Sequence, residues 1–247
     1  MRFSVLGCYS PFAPYKGACN GYLLENNNIK IMIDCGNGSF SNLQRFIDYK
    51  DLDCLIITHF HGDHFNDFEM LRKAFFLANE SGERRNPLIV FAPKEDHAFE
   101  KIAAYTELFA LIPIEESLER DHRFGDMVLR FFKTKHTTPC YGIKAKKGNK
   151  KISYTSDTGF TRLLAEEIID SDYLFAEASL LEKDKNKTIH GHMTAKQAGV
   201  LAETAKVKKL VLTHINPTYN VNLLKREAEL SFEGEIEIAK MFKTYII

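Results

Sequence analysis

The densest chemistry in the chain lies in Thr58-His59-Phe60-His61-Gly62-Asp63-His64, at the end of the apolar run Leu55-Ile56-Ile57. Three imidazoles and a carboxylate fall within six positions, directly after what reads as a buried strand. His59 and His61 are two apart, so on extended backbone they point the same way. Asp63 and His64 follow at a turn and can bring a second pair of ligands round to the same spot. Neutral imidazole with carboxylate suits zinc, and also iron, manganese or nickel. A polar turn that merely happens to be rich in histidine is the bland alternative. It is a poor one, because such a cluster beside a core strand is costly if unliganded.

Other polar groups recur in the same kind of place. His136, Asp157, Glu177 and His214 each sit at or just beyond the end of an apolar strand-like run. Such strand ends are where sheet-based enzymes place their chemistry. A lone histidine such as His136 is ordinarily a satisfied core or turn residue, but the recurrence after separate strands reverses that ordering. Two divalent ions account for the set. His59, His61 and His136 would hold one, Asp63, His64 and His214 the other, and Asp157 would bridge them. Ions about 3.5–4 Å apart lower the pKa of a shared water and clamp attacking and leaving oxygens. Zinc is the first choice, with Mn2+ or Fe2+ as alternatives.

The elements that must position these residues are legible in outline. Residues 2–6, 20–25 and 29–34 read as strands, with Asn26-Asn27-Asn28 as a hairpin turn. Residues 41–48 look helical, with Ser39 or Ser41 as N-cap, and Phe65 to Asn79 carries apolar residues at helical spacing. Strands are expected at 88–92, 128–134, 173–176 and 210–213, and helices at 96–109, 163–169 and 195–205. Residues 141–145 and 151–155 form a hairpin around Gly148-Asn149. The loop from Tyr9 to Gly21 and the region from Glu80 to Pro113 are expected to line a pocket. No repeat or low-complexity linker divides the chain, so one domain spans residues 1–247. Two mixed sheets packed together, with helices on the outer faces, accommodate this order.

Composition sets the bounds. The 247 residues are 45% hydrophobic and 27% charged, enough for one sizeable core. The formal net charge of +0 offers no global field to attract nucleic acid. Five cysteines without a CxxC pair read as reduced, and the start lacks a secretory signal, so a cytoplasmic protein is expected. No run reaches membrane-spanning length.

The same residues resemble the metallo-β-lactamase superfamily. His-x-His-x-Asp-His, then His136, Asp157 in Ser-Asp-Thr-Gly and His214 in Leu-Thr-His follow its motifs in order, and Asp34 resembles the first of them. The resemblance runs over essentially the whole chain. It implies an α+β fold, a four-layer αββα sandwich with a dinuclear site at one edge of the two sheets. A narrower likeness is to the RNase Z branch, through Glu177-Ala178-Ser179, Gly191-His192-Met193-Thr194-Ala195 and Leu210-Val211-Leu212-Thr213-His214. That branch implies His192 as general acid with Glu177 as its partner, an assignment that suits a carboxylate's effect on an imidazole. The bland readings are a residue near a helix N-cap for His192 and a strand-end salt bridge for Glu177. The departures are Ala176 in place of histidine, Met193 in place of serine and Thr218 in place of arginine. Between His136 and Asp157 there is also room only for a hairpin, where RNase Z enzymes insert a tRNA-gripping arm. Lys144, Lys146, Lys147, Lys150 and Lys151 make that hairpin basic, and a solvated tip explains them.

The expected activity is therefore that of a metal-dependent phosphodiesterase acting on small or cyclic phosphodiesters. A hydroxide readied between the ions and oriented by Asp63 would attack phosphorus, and His192 would protonate the departing oxygen. Two alternatives stay open. One is a tRNA 3′-processing endonuclease without the arm; the other is a lactonase- or thioesterase-type carbon-ester hydrolase. A redox di-iron role is disfavoured, because such members carry glutamate where His61 stands. The expected partner is a small phosphodiester rather than RNA, with no membrane, and the RNase Z likeness suggests a homodimer.

Overall fold

The computed structural model describes residues 1–247. Strands β1 (Arg2–Gly7), β2 (Gly21–Asn26) and β3 (Ile29–Ile33) form an antiparallel meander. Helix α1 (Ser39–Leu43) leads to β4 (Cys54–Ile56), and the single turn α2 (Gly62–Phe65) to α3 (Phe68–Glu80). Strand β5 (Leu88–Ala92), helix α4 (Phe99–Ala103) and strand β6 (Phe109–Pro113) follow. The sequence from β3 to β6 is parallel, so the first sheet is half meander and half crossover.

The second sheet repeats this order. Strands β7 (His122–Phe124), β8 (Met127–Lys133), β9 (Tyr141–Lys147) and β10 (Lys150–Tyr154) are antiparallel. Helix α5 (Arg162–Glu167), strand β11 (Tyr173–Glu177), helix α6 (Ala195–Thr204), strand β12 (Lys209–Thr213), helix α7 (Val221–Glu229) and strand β13 (Glu235–Ile238) then add parallel strands. The last strand, β14 (Thr244–Ile246), crosses back to pair with β1. Each sheet has seven strands, in the orders β14-β1-β2-β3-β4-β5-β6 and β13-β12-β11-β10-β9-β8-β7.

Period-2 alternation of the strands builds the layers. On β3, Ile31 and Ile33 face the other sheet, where they meet Leu129, Phe131, Ile143, Tyr154 and Phe175. Met32, between them, faces outward with Leu55, Leu71 and Phe75 under α3. On β11, Phe175 points between the sheets while Leu174 and Ala176 pack under α6 with Leu201. Both faces are covered, which is why these strands read as continuous apolar runs. The result is the expected αββα sandwich.

Several element boundaries differ from the sequence reading. Neither Ser39 nor Ser41 caps α1; Gly38, at φ +84°, precedes it and supplies no side-chain cap. The helix expected from Phe65 starts at Phe68, because Phe65 belongs to the separate turn that aims His64. The helix expected over 96–109 is confined to α4; residues 104–108 form a turn segment, and Phe109 already begins β6, paired parallel to β5 despite Pro113. Thr194 does cap α6, with Gln197 closing the capping box.

Candidate metal centre

Every motif residue arrives from the same edge of the sandwich. The loop after β4 brings His59 and His61, and α2 brings Asp63 and His64. His136 follows β8, Asp157 follows β10, and His214 follows β12. Three residues there hold positive φ without being glycine: Asp34 at 58°, Ser156 at 52° and His214 at 57°. Backbone strain of this kind persists only where surroundings impose it, and it clusters at functional sites. Close approach adds a glycine requirement: a Cβ at Gly36 would stand 2.0 Å from the Asp63 carbonyl oxygen.

The donor atoms gather into two groups, His59, His61 and His136 with Asp157, and Asp63, His64 and His214, each group within 4.8 Å. Asp157 divides its oxygens between them. Its Oδ2 lies 3.5 Å from His59 Nε2 and 3.7 Å from His136 Nε2. Its Oδ1 lies 3.2 Å from His64 Nε2 and 2.9 Å from His214 Nε2. Asp63 Oδ2 lies 3.3 Å from His214 Nε2 and 3.7 Å from His64 Nε2. His61 presents Nδ1, 3.1 Å from His136 Nε2.

The residues fit divalent cations. His59 Nε2, Asp157 Oδ1 and His214 Nε2 are buried without hydrogen-bond partners, and the last two are not aligned as donor and acceptor despite their proximity. Such orphaned atoms are rare in folded proteins. The outer nitrogens are already committed. His64 Nδ1 faces Asp34 Oδ2 at 2.7 Å, and His136 Nδ1 donates to Gly191 O at 2.9 Å. Ser179 Oγ donates to Glu177 Oε2 at 2.5 Å, so it accepts from His214 Nδ1 at 2.6 Å. Those three bonds leave the Nε2 lone pairs aimed inward, as metal-binding imidazoles require. His59 Nδ1 has only neutral neighbours, Thr58 Oγ1 at 3.2 Å and Cys140 Sγ at 3.5 Å.

Protonation separates the two groups. Burial holds His59, His61 and His136 below the usual imidazole range. Burial pulls on His64 too, but Asp157, Asp34 and Asp63 carry it well above that range. His214, likewise buried, is carried up to about 10, chiefly by Asp157. Cation binding would displace those protons.

His192 and Glu177 stand beside this centre. Glu177 is fully buried and accepts from Thr158 N and Ser179 Oγ as well as from His192 Nδ1, the last at 2.9 Å. The His192 ring packs against those of His214 and His136, with centroids 5.4 and 5.1 Å away. Burial opposes a charged His192, and Glu177 overrides it and raises its pKa. The structure thus brings together all nine residues singled out from the sequence.

Three polar partners were not anticipated: Ser10, whose hydroxyl donates to Asp63 Oδ2 at 2.7 Å, Asn20, and Cys140. The first two come from the loop expected to line a pocket. Of the sequence departures, Ala176 and Met193 are buried core residues and Thr218 is exposed. Between His136 and Asp157 lies only the β9–β10 hairpin, turning at Gly148 and Asn149. No helix is long and apolar enough to cross a membrane.

Comparison with known proteins agrees with this geometry. The probable metallo-hydrolase YhfI of Bacillus subtilis (strain 168) is 29% identical over 244 residues, covering 97% of each chain. The crystal structure of the B. subtilis YhfI protein superposes with a TM-score of 0.93 at 27% identity, over 99% of this chain and 98% of that one. A ribonuclease Z of Parabacteroides distasonis is 26% identical, covering 94% of this chain and 95% of its own, in an alignment of 294 positions. That alignment is longer than this chain, so the relative carries inserted segments. A diphosphatase from the PhnP family shares the fold, with a TM-score of 0.74 at 17% identity over 100% of this chain and 97% of that one. Residues 30–215 match the Beta-lactamase superfamily domain, and the chain belongs to that family.

Proposed function

We propose that the protein is a metal-dependent phosphodiesterase acting on small or cyclic phosphodiesters. One observation carries this reading: His192, which lies close enough to Asp157 and His214 to be grouped with them, has its Nδ1 taken by the buried Glu177 carboxylate at the edge of the centre. Bound divalent cations would supply Lewis-acid charge at the phosphoryl oxygens and ready a water for attack. His59, His61, His136, Asp63, His64 and His214 would hold two of them, most simply zinc, with Asp157 between. Asp63, oriented by Ser10, would fix the direction from which the water approaches phosphorus. Glu177 fixes the His192 tautomer with Nδ1–H inward, so that Nε2 can pass a proton to the departing oxygen. An alkoxide leaving group needs that proton, whereas an activated ester needs it less. This favours an alkyl phosphodiester over a thioester, whose thiolate leaves without a proton; a lactone also expels an alkoxide and is told apart by a substrate panel.

A tRNA 3′-processing activity is the second reading, supported by the ribonuclease Z relative. Against it stand the short β9–β10 hairpin and the zero net charge. Five free, buried cysteines suit a reducing cytoplasm, and a homodimer is the assembly that goes with the RNase Z likeness. The deciding experiment is a panel of cyclic phosphates, linear diesters, lactones, thioesters and precursor tRNA, with metal content measured. Hydrolysis confined to lactones or thioesters would replace the first reading, and efficient tRNA trimming would promote the second.

A further inference from the structure

Asn20, immediately before β2, is fully buried, and its Nδ2 lies 3.1 Å from His64 Nε2, the nitrogen that faces the cluster. The amide is held in that orientation. The Tyr22 hydroxyl donates to Asn20 Oδ1 at 3.2 Å, and it is itself 2.5 Å from Thr213 Oγ1, the residue before His214. Tyr22 cannot swing aside, because it is fully buried against Phe3, Tyr154 and Phe175. The Asn20 carbonyl oxygen accepts from Gly36 N at 2.9 Å, which pins the backbone as well. A chain of donors from Thr213 through Tyr22 thus ends on Oδ1 and leaves Nδ2 pointing into the Asp63–His64–His214 group.

Once His64 Nε2 ligates a cation it cannot accept from that donor. His64 Nδ1 is committed to Asp34, so Nε2 is the nitrogen the imidazole offers as a ligand. Once it is used, the amide needs another acceptor, since a buried donor left unpaired costs its full desolvation. Asp63 Oδ2 already takes the Ser10 hydroxyl, and Asp157 Oδ1 faces His64 and His214. The remaining acceptor is an oxygen of whatever enters the site. We infer that Asn20 is a further catalytic residue, whose Nδ2 donates to an oxygen of the phosphate group held at Asp63, His64 and His214. This rests on the phosphodiesterase reading above. A neutral, pre-aimed donor at developing negative charge is an effective stabiliser, because it needs no reorganisation during reaction.

The test uses protein reconstituted with zinc, in wild-type form and as Asn20→Ala, Asn20→Ser and Tyr22→Phe. Metal content is measured by elemental analysis, inorganic phosphate affinity by calorimetry, and kcat and KM on an alkyl diester. Both Asn20 variants should keep the wild-type metal content and lose roughly 10- to 100-fold in phosphate affinity. Tyr22→Phe should lose less, since it loosens the amide without removing it. Phosphate affinity within about twofold of wild type in metal-replete Asn20 variants overturns the assignment. Loss of metal in step with loss of phosphate binding also overturns it, by making Asn20 a prop for His64. Wild-type protein that binds no phosphate and cleaves no diester would bring down the phosphodiesterase reading, and the role of Asn20 with it.

Discussion

The two halves of the centre are braced by different chemistry. Around His59 and His136 the facing partners are a threonine hydroxyl, a cysteine thiol and the Gly191 carbonyl, and of these only the Thr58 hydroxyl leads on to a carboxylate, Asp34. Around His64 and His214 they lead back to buried carboxylates, Asp34 directly and Glu177 through Ser179. A carboxylate behind an imidazole raises its basicity as a ligand and fixes its ring. The second half therefore has a carboxylate behind each of its two imidazoles, directly or through one hydroxyl, while in the first half only His59 reaches one, through Thr58. His192 belongs to the charged half, since Glu177 serves both it and Ser179. The organised electrostatics are concentrated on one side, where the departing group would have to be protonated.

The largest expected effect comes from erasing the boundary between the halves. Asp157→Ala removes the one carboxylate that addresses both groups, and should cut activity by at least about 10³-fold, as when a main electrostatic element is lost. Elemental analysis should show both ions reduced. Retention of two ions at full occupancy would mean that Asp157 does not link the groups. Next in size is His192→Ala, expected to cost about 10²–10⁴-fold on an alkyl diester. On bis(p-nitrophenyl) phosphate the loss should be much smaller, because nitrophenolate leaves without a proton. Equal losses on the two substrates would remove His192 from its role as the acid.

What was legible in the sequence follows from the same contrast. Residues that must themselves face the site sit at strand ends after apolar runs, so His59, Asp157 and His214 announce themselves by position. The residues that brace them do not. Ser10 and Asn20 lie in an irregular loop whose register against Asp63 and His64 depends on β1 and β2 packing under the second sheet. Cys140 reads as one more buried thiol. Ser179 stands within a quoted motif, yet its bond to His214 spans 35 positions and no local pattern encodes it. The fold shows the same limit. The β2–β3 hairpin is a local signal, whereas β14 becomes a strand only by pairing with β1 from the opposite end of the chain. Strand β6 carries Pro113 and follows a helical pattern, so β5, its parallel partner, decides its state.

The contrast between the halves can be tested without touching any residue that faces an ion. Asp34 accepts from His64 Nδ1, Thr58 N, Thr58 Oγ1 and Tyr154 OH, all buried. Asp34→Asn keeps the shape and removes the charge directly behind His64, and should weaken binding of the ion there by about 10–100-fold, with a smaller loss at His59, which it reaches only through Thr58. This would appear in a chelator titration as one ion lost early and one retained. Cys140→Ala is the counterpart in the other half. It deletes a neutral partner 3.5 Å from His59 Nδ1 and leaves Thr58 Oγ1, at 3.2 Å, to keep the ring in place. Its effect on ion affinity should stay below the roughly 10-fold floor usual for such partners. A Cys140→Ala loss as large as that of Asp34→Asn would mean that position matters in this centre and charge does not.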